Sequence, residues 1–157
     1  MSEAVTKFVG SWSGSFNGTG NIESGGLKTQ VSLPREFGGT ANSPTPEDLL
    51  LAAIGACYLI TLGIMLDKAN LTYQRLSLEA NLSTSIERFP TIQEIELRPI
   101  ITVEQNNPQI LDLMMRAKEA CVISRAIDKN IKRTLMPTIN TLTLAPPTNY
   151  DGAETSL

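Results

Sequence analysis

The chain has 157 residues, of which 41% are hydrophobic, and a formal net charge of -3. This length predicts one compact domain with a substantial core, and the acidic balance excludes a general affinity for nucleic acid or anionic lipid. The sequence contains no histidine, which excludes Ser-His-Asp and Cys-His nucleophiles and histidine-ligated zinc. The N-terminus lacks the basic and apolar regions of a secretory signal, so we expect a cytoplasmic protein that is not inserted in a membrane.

The first segment, residues 5–33, alternates short apolar and polar runs among glycines. This pattern predicts two or three antiparallel strands with hairpin turns at residues 18–20 and 25–26. The Gly-Thr-Gly at 18–20 lacks the third glycine and the strand-turn-helix context of a dinucleotide site, so we predict no bound cofactor.

A loop at residues 34–44 leads into one long helix, which we expect to run to about Lys68 or Asn70. Thr45 is a favourable N-cap, Pro46 suits the first helical position, and Asp48 completes a capping box. No charged residue follows until after Leu66, which predicts a buried central helix. Its helical spacing places one cysteine on an apolar stripe, which comprises Leu50, Ala53, Cys57, Ile60 or Thr61, and Ile64.

Two alternating segments follow and predict a long two-stranded ribbon, with strands at about residues 73–86 and 91–104. The inward-facing side chains are expected to be Leu76, Leu78, Ala80, Leu82 and Ile86 on the first strand and Ile95, Leu97, Ile101 and Val103 on the second.

Asn107 and Pro108 repeat the cap-then-proline opening and predict a second helix. Residues 131–144 alternate weakly and predict a last strand, so we expect a single domain at 1–144 and a mobile tail at 145–157. The buried stripe of the second helix is expected to contain Ile110, Leu113, Met114, Ala117, Cys121 and Ser124.

The two cysteines, Cys57 and Cys121, form no CxxC pair, which excludes a zinc ribbon and a thioredoxin motif. Cysteines on apolar stripes are more often inert packing residues than catalytic ones. The small residues near Cys57 leave room for another backbone or a small ligand, and they equally suit close helix packing. An apolar pocket raises the pKa of a thiol, so a reactive Cys57 needs a cation or several hydrogen-bond donors nearby.

The sequence carries the run PEDLLLAAIGAC at 46–57, the run AKEACVIS at 117–124, and WSG at 12–14 followed by GTG at 18–20. Together these three motifs resemble those of one family, the OsmC/Ohr hydroperoxide reductases. The run at 46–57 resembles the helix in which that family carries its first cysteine. The run AKEACVIS at 117–124 is similar to its segment around the second cysteine. The N-terminal WSG at 12–14 and GTG at 18–20 resemble its first hairpin, and the order of elements agrees over about residues 8–142.

The resemblance implies an α+β fold, OsmC-like, in which antiparallel sheets pack around two long central helices of an intertwined homodimer, with active sites at the subunit interface. It implies a stress-response peroxidase that reduces organic hydroperoxides without a metal or cofactor. Cys57 would attack the peroxide as a thiolate and become a sulfenic acid, and Cys121 would condense with it to a disulfide. An external dithiol of the lipoyl type would reduce this disulfide.

Glu47 matches the family's functional glutamate. About ten residues of helix, or roughly 15 Å, separate it from Cys57, so the two can meet only across a dimer interface. A helix N-terminal acid that interacts with the macrodipole is the alternative role.

The sequence departs from the family at two positions. Asn17 stands where the family has an arginine that hydrogen-bonds the thiolate, and an asparagine cannot offset an anion. Arg35, in the loop before the long helix, is a candidate substitute. Val122 replaces the proline that follows the family's second cysteine.

Two other functions stay open on these residues. One is an OsmC-like dimeric binding protein for a small apolar ligand, with little or no peroxidase activity because the arginine is replaced. The other is a dimer in which both cysteines only pack.

Overall fold

A computed structural model describes residues 3–127 and 129–142. It has the expected α+β composition, and the predicted tail at 145–157 lies outside the described residues. The elements in chain order are β1 (Phe8–Ser13), β2 (Thr19–Ser24), β3 (Leu27–Val31), α1 (Pro46–Lys68), β4 (Arg75–Thr84), β5 (Ile92–Val103), α2 (Pro108–Ala120), α3 (Val122–Ala126), β6 (Lys132–Leu135) and β7 (Thr138–Thr141).

The N-terminal sheet is antiparallel in the order β1-β2-β3, which confirms the strands predicted for residues 5–33. Gly25 adopts a φ of 57° in the β2–β3 turn, where a glycine was expected. The prediction for the first turn is wrong: it lies before β2, with Gly14 at a φ of 95°, whereas Gly20 is within β2 opposite Trp12. Among the described residues, the hydrophobic core contains none from this sheet.

The second sheet is built on the predicted ribbon, in which β4 and β5 pair antiparallel. The predicted last strand is two strands, β6 and β7, and both pair parallel with successive parts of β5. Pro137 separates them because it has no N–H to donate to the ladder. Ile86 was predicted to face inward, but β4 ends at Thr84 and the Ile86 side chain is exposed.

The core lies between the helices and one face of the second sheet. Register pairs Leu76 with Ile101 and Leu82 with Ile95, so the apolar residues of both strands share that face. The predicted inward face of β5 and the predicted stripe of the second helix are both buried. The fully buried core side chains are Ile54, Tyr58, Leu62, Leu66, Ile95, Leu97, Ile101, Val103, Ile110, Leu113, Met114 and Ala117.

The sequence predicts that helix α1 is buried. In the structure, however, only one face of the helix is buried and another is exposed. Its buried face is built on Ile54, Tyr58, Leu62 and Leu66, whereas Ile60 and Ile64 of the predicted stripe are 64% and 50% exposed. The Tyr58 hydroxyl donates a buried hydrogen bond to the carbonyl oxygen of Met114 at 3.1 Å, which fixes this face toward α2. These two residues of the predicted stripe are therefore turned away from the core, whereas Leu50 of the same stripe is half-buried against it.

Helix α1 is also the one helix among the described residues that is long and apolar enough to cross a membrane. Length and composition are weak evidence here, because the core helices of soluble proteins have the same properties. Since α1 packs against α2, α3 and β4, we interpret it as a core helix.

Candidate active site

The two cysteines meet where α1 passes the junction between α2 and α3. The second helix was predicted to continue through Ser124, but α2 ends at Ala120 and Cys121 has extended backbone angles, with φ at -60° and ψ at 117°. The Cys121 sulfur accepts a hydrogen bond from the Ser124 N–H at 3.4 Å, as an N-cap residue does, and α3 begins at Val122. The break turns the first residues of α3 toward Cys57, which is half-buried in the middle of α1.

The environment of Cys57 favours its thiolate. Burial, the largest single effect, raises the pKa of this thiol, but hydrogen bonds together outweigh it and leave the pKa below its ordinary value. The donors are the Cys121 thiol and the backbone N–H groups of Ile123 and Val122, in decreasing order. The Thr61 hydroxyl lies beside the same residue, but it donates its proton to the carbonyl oxygen of Cys57 at 2.7 Å. None of these groups is a Lys or Arg side chain, so within this part of the structure hydrogen bonds alone favour the anion.

The environment of Cys121 favours its protonated thiol. Its side chain is fully buried, and this burial is the main reason why the pKa of the Cys121 thiol is raised. The hydrogen bond to Cys57 raises it further, because Cys121 must keep its proton in order to donate. The pair therefore consists of one thiol that ionises readily and one that stays protonated beside it.

Two further contacts hold the α2–α3 junction in place. Tyr58, the residue after Cys57, connects α1 to α2 through the hydrogen bond of its hydroxyl group. Arg133 donates a hydrogen bond to the carbonyl oxygen of Ser124 in α3 at 2.8 Å. Sequence reasoning missed Arg133, and it also missed the N–H groups of Val122 and Ile123. Nothing in a residue pattern identifies a backbone donor, because every residue except proline has one.

Glu47 and Arg35 lie away from the thiols but share a cavity of about 500 Å³ at the start of α1. One carboxylate oxygen of Glu47 is buried and has no hydrogen-bond partner among the described residues. Arg35 is exposed and forms no ion pair with the residues that the structure describes. The cavity thus holds a carboxylate and a guanidinium that are both available for a partner.

The small residues around Cys57 divide into two groups. Gly55 is buried against β4, where a Cβ atom would lie 3.4 Å from the side chain of Leu78, an ordinary van der Waals contact. Ala52, Ala53 and Ala56 are exposed and leave open the surface of α1 that flanks Cys57. No group of three or more Cys, Asp or Glu side chains in the described ranges is arranged to hold a metal ion.

Residues 39–136 match the model of the family described as OsmC-like protein. The chain belongs to the OsmC-like family. The chain is also 32% identical over 130 residues to the uncharacterized protein YmaD of Bacillus subtilis, covering 79% of this chain and 87% of that protein. This membership confirms the family that the two cysteine motifs indicated.

Solved structures agree with the OsmC-like fold. An organic hydroperoxide resistance protein OsmC from Legionella pneumophila superposes with a TM-score of 0.71 at 24% identity, covering 87% of this chain and 99% of that one. The organic hydroperoxide resistance protein OhrB of Bacillus subtilis superposes with a TM-score of 0.64 at 21% identity, covering 84% and 98%. These likenesses establish the fold.

The two departures from the OsmC/Ohr motifs lie in different surroundings. Asn17 is exposed in the β1–β2 turn and is not among the groups that affect the pKa of Cys57. Val122 is at the α2–α3 junction, and its backbone N–H is one of the donors to Cys57. One departure thus removes a positive charge, and the other places a donor beside the thiol.

Proposed function

We propose that this OsmC-like protein is a thiol-dependent peroxidase that reduces organic hydroperoxides to alcohols in the cytoplasm. The observation that carries the proposal is the hydrogen-bonded pair of Cys57 and Cys121, in which the pKa of one thiol is lowered and that of the other is raised. A thiol peroxidase needs an attacking sulfur that is a thiolate and a resolving thiol within its reach.

In the first step, the Cys57 thiolate attacks the distal peroxide oxygen. The O–O bond breaks as an S–O bond forms, so the sulfur is oxidised to a sulfenic acid and the alkoxide takes a proton from solvent to become the alcohol. Cys121 then attacks the Cys57 sulfur, a disulfide forms, and the hydroxyl leaves as water with the Cys121 proton. An external dithiol, which we expect to be of the lipoyl type, reduces the disulfide by two exchanges and is itself oxidised.

The active form is proposed to be a homodimer. The exposed face of α1 and the N-terminal sheet, which carries the exposed Phe8 and Trp12, both require an apolar cover. A second copy of the chain offers matching surfaces, and an intertwined dimer covers both at once. Such an interface would also enclose the open side of Cys57 in an apolar pocket suited to a bulky hydroperoxide.

Glu47 and Arg35 are proposed to complete the site across this interface. Their shared cavity supports an ion pair that forms when the second subunit encloses it, since one Glu47 oxygen is buried and has no partner within residues 3–127 and 129–142. Glu47 cannot reach Cys57 of its own helix, so it would act on the partner's thiol. Arg35 would supply the cation that Asn17 does not.

The test is consumption of cumene hydroperoxide by the purified protein with dihydrolipoate as reductant. Cys57→Ser should abolish turnover, because the hydroxyl is not ionised and cannot accept the peroxide oxygen. Cys121→Ser is the matched variant: it should leave a sulfenic acid on Cys57 that dimedone traps, with no intramolecular disulfide. Equal turnover in the wild type and Cys57→Ser would reject the peroxidase and favour a dimeric protein that binds a small apolar ligand at this interface.

A further inference from the structure

Strand β6 carries an arginine on the side of the second sheet that faces the helices. In the parallel pairing with β5, Arg133 lies opposite Ile95 and Leu135 lies opposite Leu97, and both β5 residues are buried in the core. Because paired residues of neighbouring strands share a face, the half-buried Arg133 side chain extends toward the helices. A guanidinium in such a position needs hydrogen-bond acceptors, since burying a charge without them is costly.

The acceptor belongs to the residue that also contacts the second cysteine. Arg133 donates to the Ser124 carbonyl oxygen at 2.8 Å, and the Ser124 N–H donates to the Cys121 sulfur at 3.4 Å. Ser124 and Cys121 are 2% and 0% exposed, so the second contact is shielded from water. Ser124 thus connects the guanidinium on β6 to the thiol at the end of α2.

Helix α3 depends on contacts of this kind for its position. It has five residues, and a helix this short is not stable through its own hydrogen bonds. Ser124 is buried, whereas the other four side chains of α3 are exposed, so apolar packing holds the segment weakly. Because α3 packs against α1, which carries Cys57, a displacement of Ser124 changes how Cys121 approaches that helix.

We propose that Arg133 is a positioning residue for the second cysteine: by holding Ser124, it keeps the Cys121 sulfur where it can form a disulfide with Cys57. The proposal rests on the function given above and concerns its second step, in which the S–S bond forms as the S–O bond of the Cys57 sulfenic acid breaks and water leaves. Such a condensation depends steeply on the distance and direction at which the two sulfurs meet. Arg133 acts through the main chain of Ser124 and not on a sulfur atom.

The experiment measures how readily the two thiols form a disulfide in full-length protein, in glutathione buffers of graded redox ratio and without peroxide. The protein dithiol gives up two electrons and two protons, and one glutathione disulfide is reduced to two glutathione thiols. Arg133→Met removes the donor, so disulfide formation must also order α3. The equilibrium constant should fall about tenfold, as for loss of a hydrogen bond from a charged group. Trapping of free thiols with iodoacetamide and mass spectrometry reads this constant.

Arg125→Met is the matched control, because Arg125 is exposed in α3 and its loss changes the net charge equally. It should keep the wild-type constant. The step itself gives a second measurement. After one equivalent of cumene hydroperoxide, Arg133→Met should accumulate a Cys57 sulfenic acid that dimedone traps, whereas the wild type and Arg125→Met proceed to the disulfide.

The proposal is wrong if folded Arg133→Met keeps the wild-type constant, if Arg125→Met lowers it equally, or if the wild type forms no Cys57–Cys121 disulfide in oxidising buffer. Where circular dichroism shows that Arg133→Met does not fold, Arg133→Gln, which keeps an N–H group but no charge, is measured by the same criterion and should also lower the constant. A wild type without peroxide turnover would reject the peroxidase, yet the glutathione constants would still test Arg133.

Discussion

Cys57 and Cys121 are in contact, yet their environments affect the two thiols in opposite directions. Hydrogen bonds lower the pKa of Cys57, whereas burial raises that of Cys121. As the pH rises, Cys57 should therefore lose its proton first, and a range of pH should exist in which only Cys57 is a thiolate. We expect iodoacetamide to modify Cys57 selectively in this range, as measured by peptide mass spectrometry over a pH series.

The control is the same series in urea, where both thiols are solvated and should react with similar pH dependence. Modification of Cys121 before Cys57 in the folded protein would contradict the division of roles, because the resolving thiol would then be the more reactive one. The buried position of Cys121 slows its alkylation as well, so the pH midpoint of each thiol is compared and not only its rate.

The sequence predicted which side chains form this site, but it did not predict the contacts that they make. Both cysteines were candidates from their motifs, and the structure brings them together. The N–H groups that act on Cys57 could not be predicted, because they depend on a helix break at Cys121 that helical periodicity alone would carry through to Ser124. The hydrogen bond from Arg133 also depends on tertiary packing, because its acceptor is the carbonyl oxygen of Ser124 in another element.

At the scale of elements, the start of α1 determines where Glu47 lies. Thr45 accepts a hydrogen bond from the Asp48 N–H, and the Asp48 carboxylate accepts one from the Thr45 N–H at 2.8 Å, which is the capping box that the sequence predicted. We expect Thr45→Ala to lower the free energy of unfolding by about 1 kcal/mol, because it removes this cap. Urea denaturation of purified protein measures the change.

Thr72→Ala is the matched control for the cap, since Thr72 is exposed in the loop after α1. It should change the free energy of unfolding by less than about 0.5 kcal/mol. If Thr45→Ala lowers the free energy of unfolding by no more than the control does, then the packing of α1, and not its cap, determines where the helix begins.

Element types were predictable here, while the orientation of α1 was not. In a strand, the alternation of apolar and polar residues predicts which face is buried. The inward-facing residues of β5 follow this alternation. Helix α1 carries apolar residues all around, so its spacing predicts several equivalent stripes, and the stripe through Cys57 is not distinguished from the face with Tyr58. The hydroxyl of Tyr58 decides the orientation because it requires a buried acceptor, which Met114 provides.

At the scale of the whole molecule, two surfaces lack a cover in the single chain. The N-terminal sheet contributes no described residue to the core, and α1 leaves Ile60 and Ile64 exposed. Both features are unfavourable for an isolated chain in water. The homodimer proposed above would cover both surfaces at once.

The dimer can be tested on the exposed face of α1. Ile64→Asp places a charge in the proposed interface, where its burial without a partner costs a few kcal/mol and weakens association by about a hundredfold or more. Sedimentation velocity should show a dimer for the wild type and a monomer for this variant. Phe89→Asp, an exposed apolar residue in the β4–β5 hairpin turn, should remain dimeric. If Ile64→Asp sediments as a dimer too, α1 does not form the interface, and the proposed pairing of Glu47 with the partner's Cys57 fails with it.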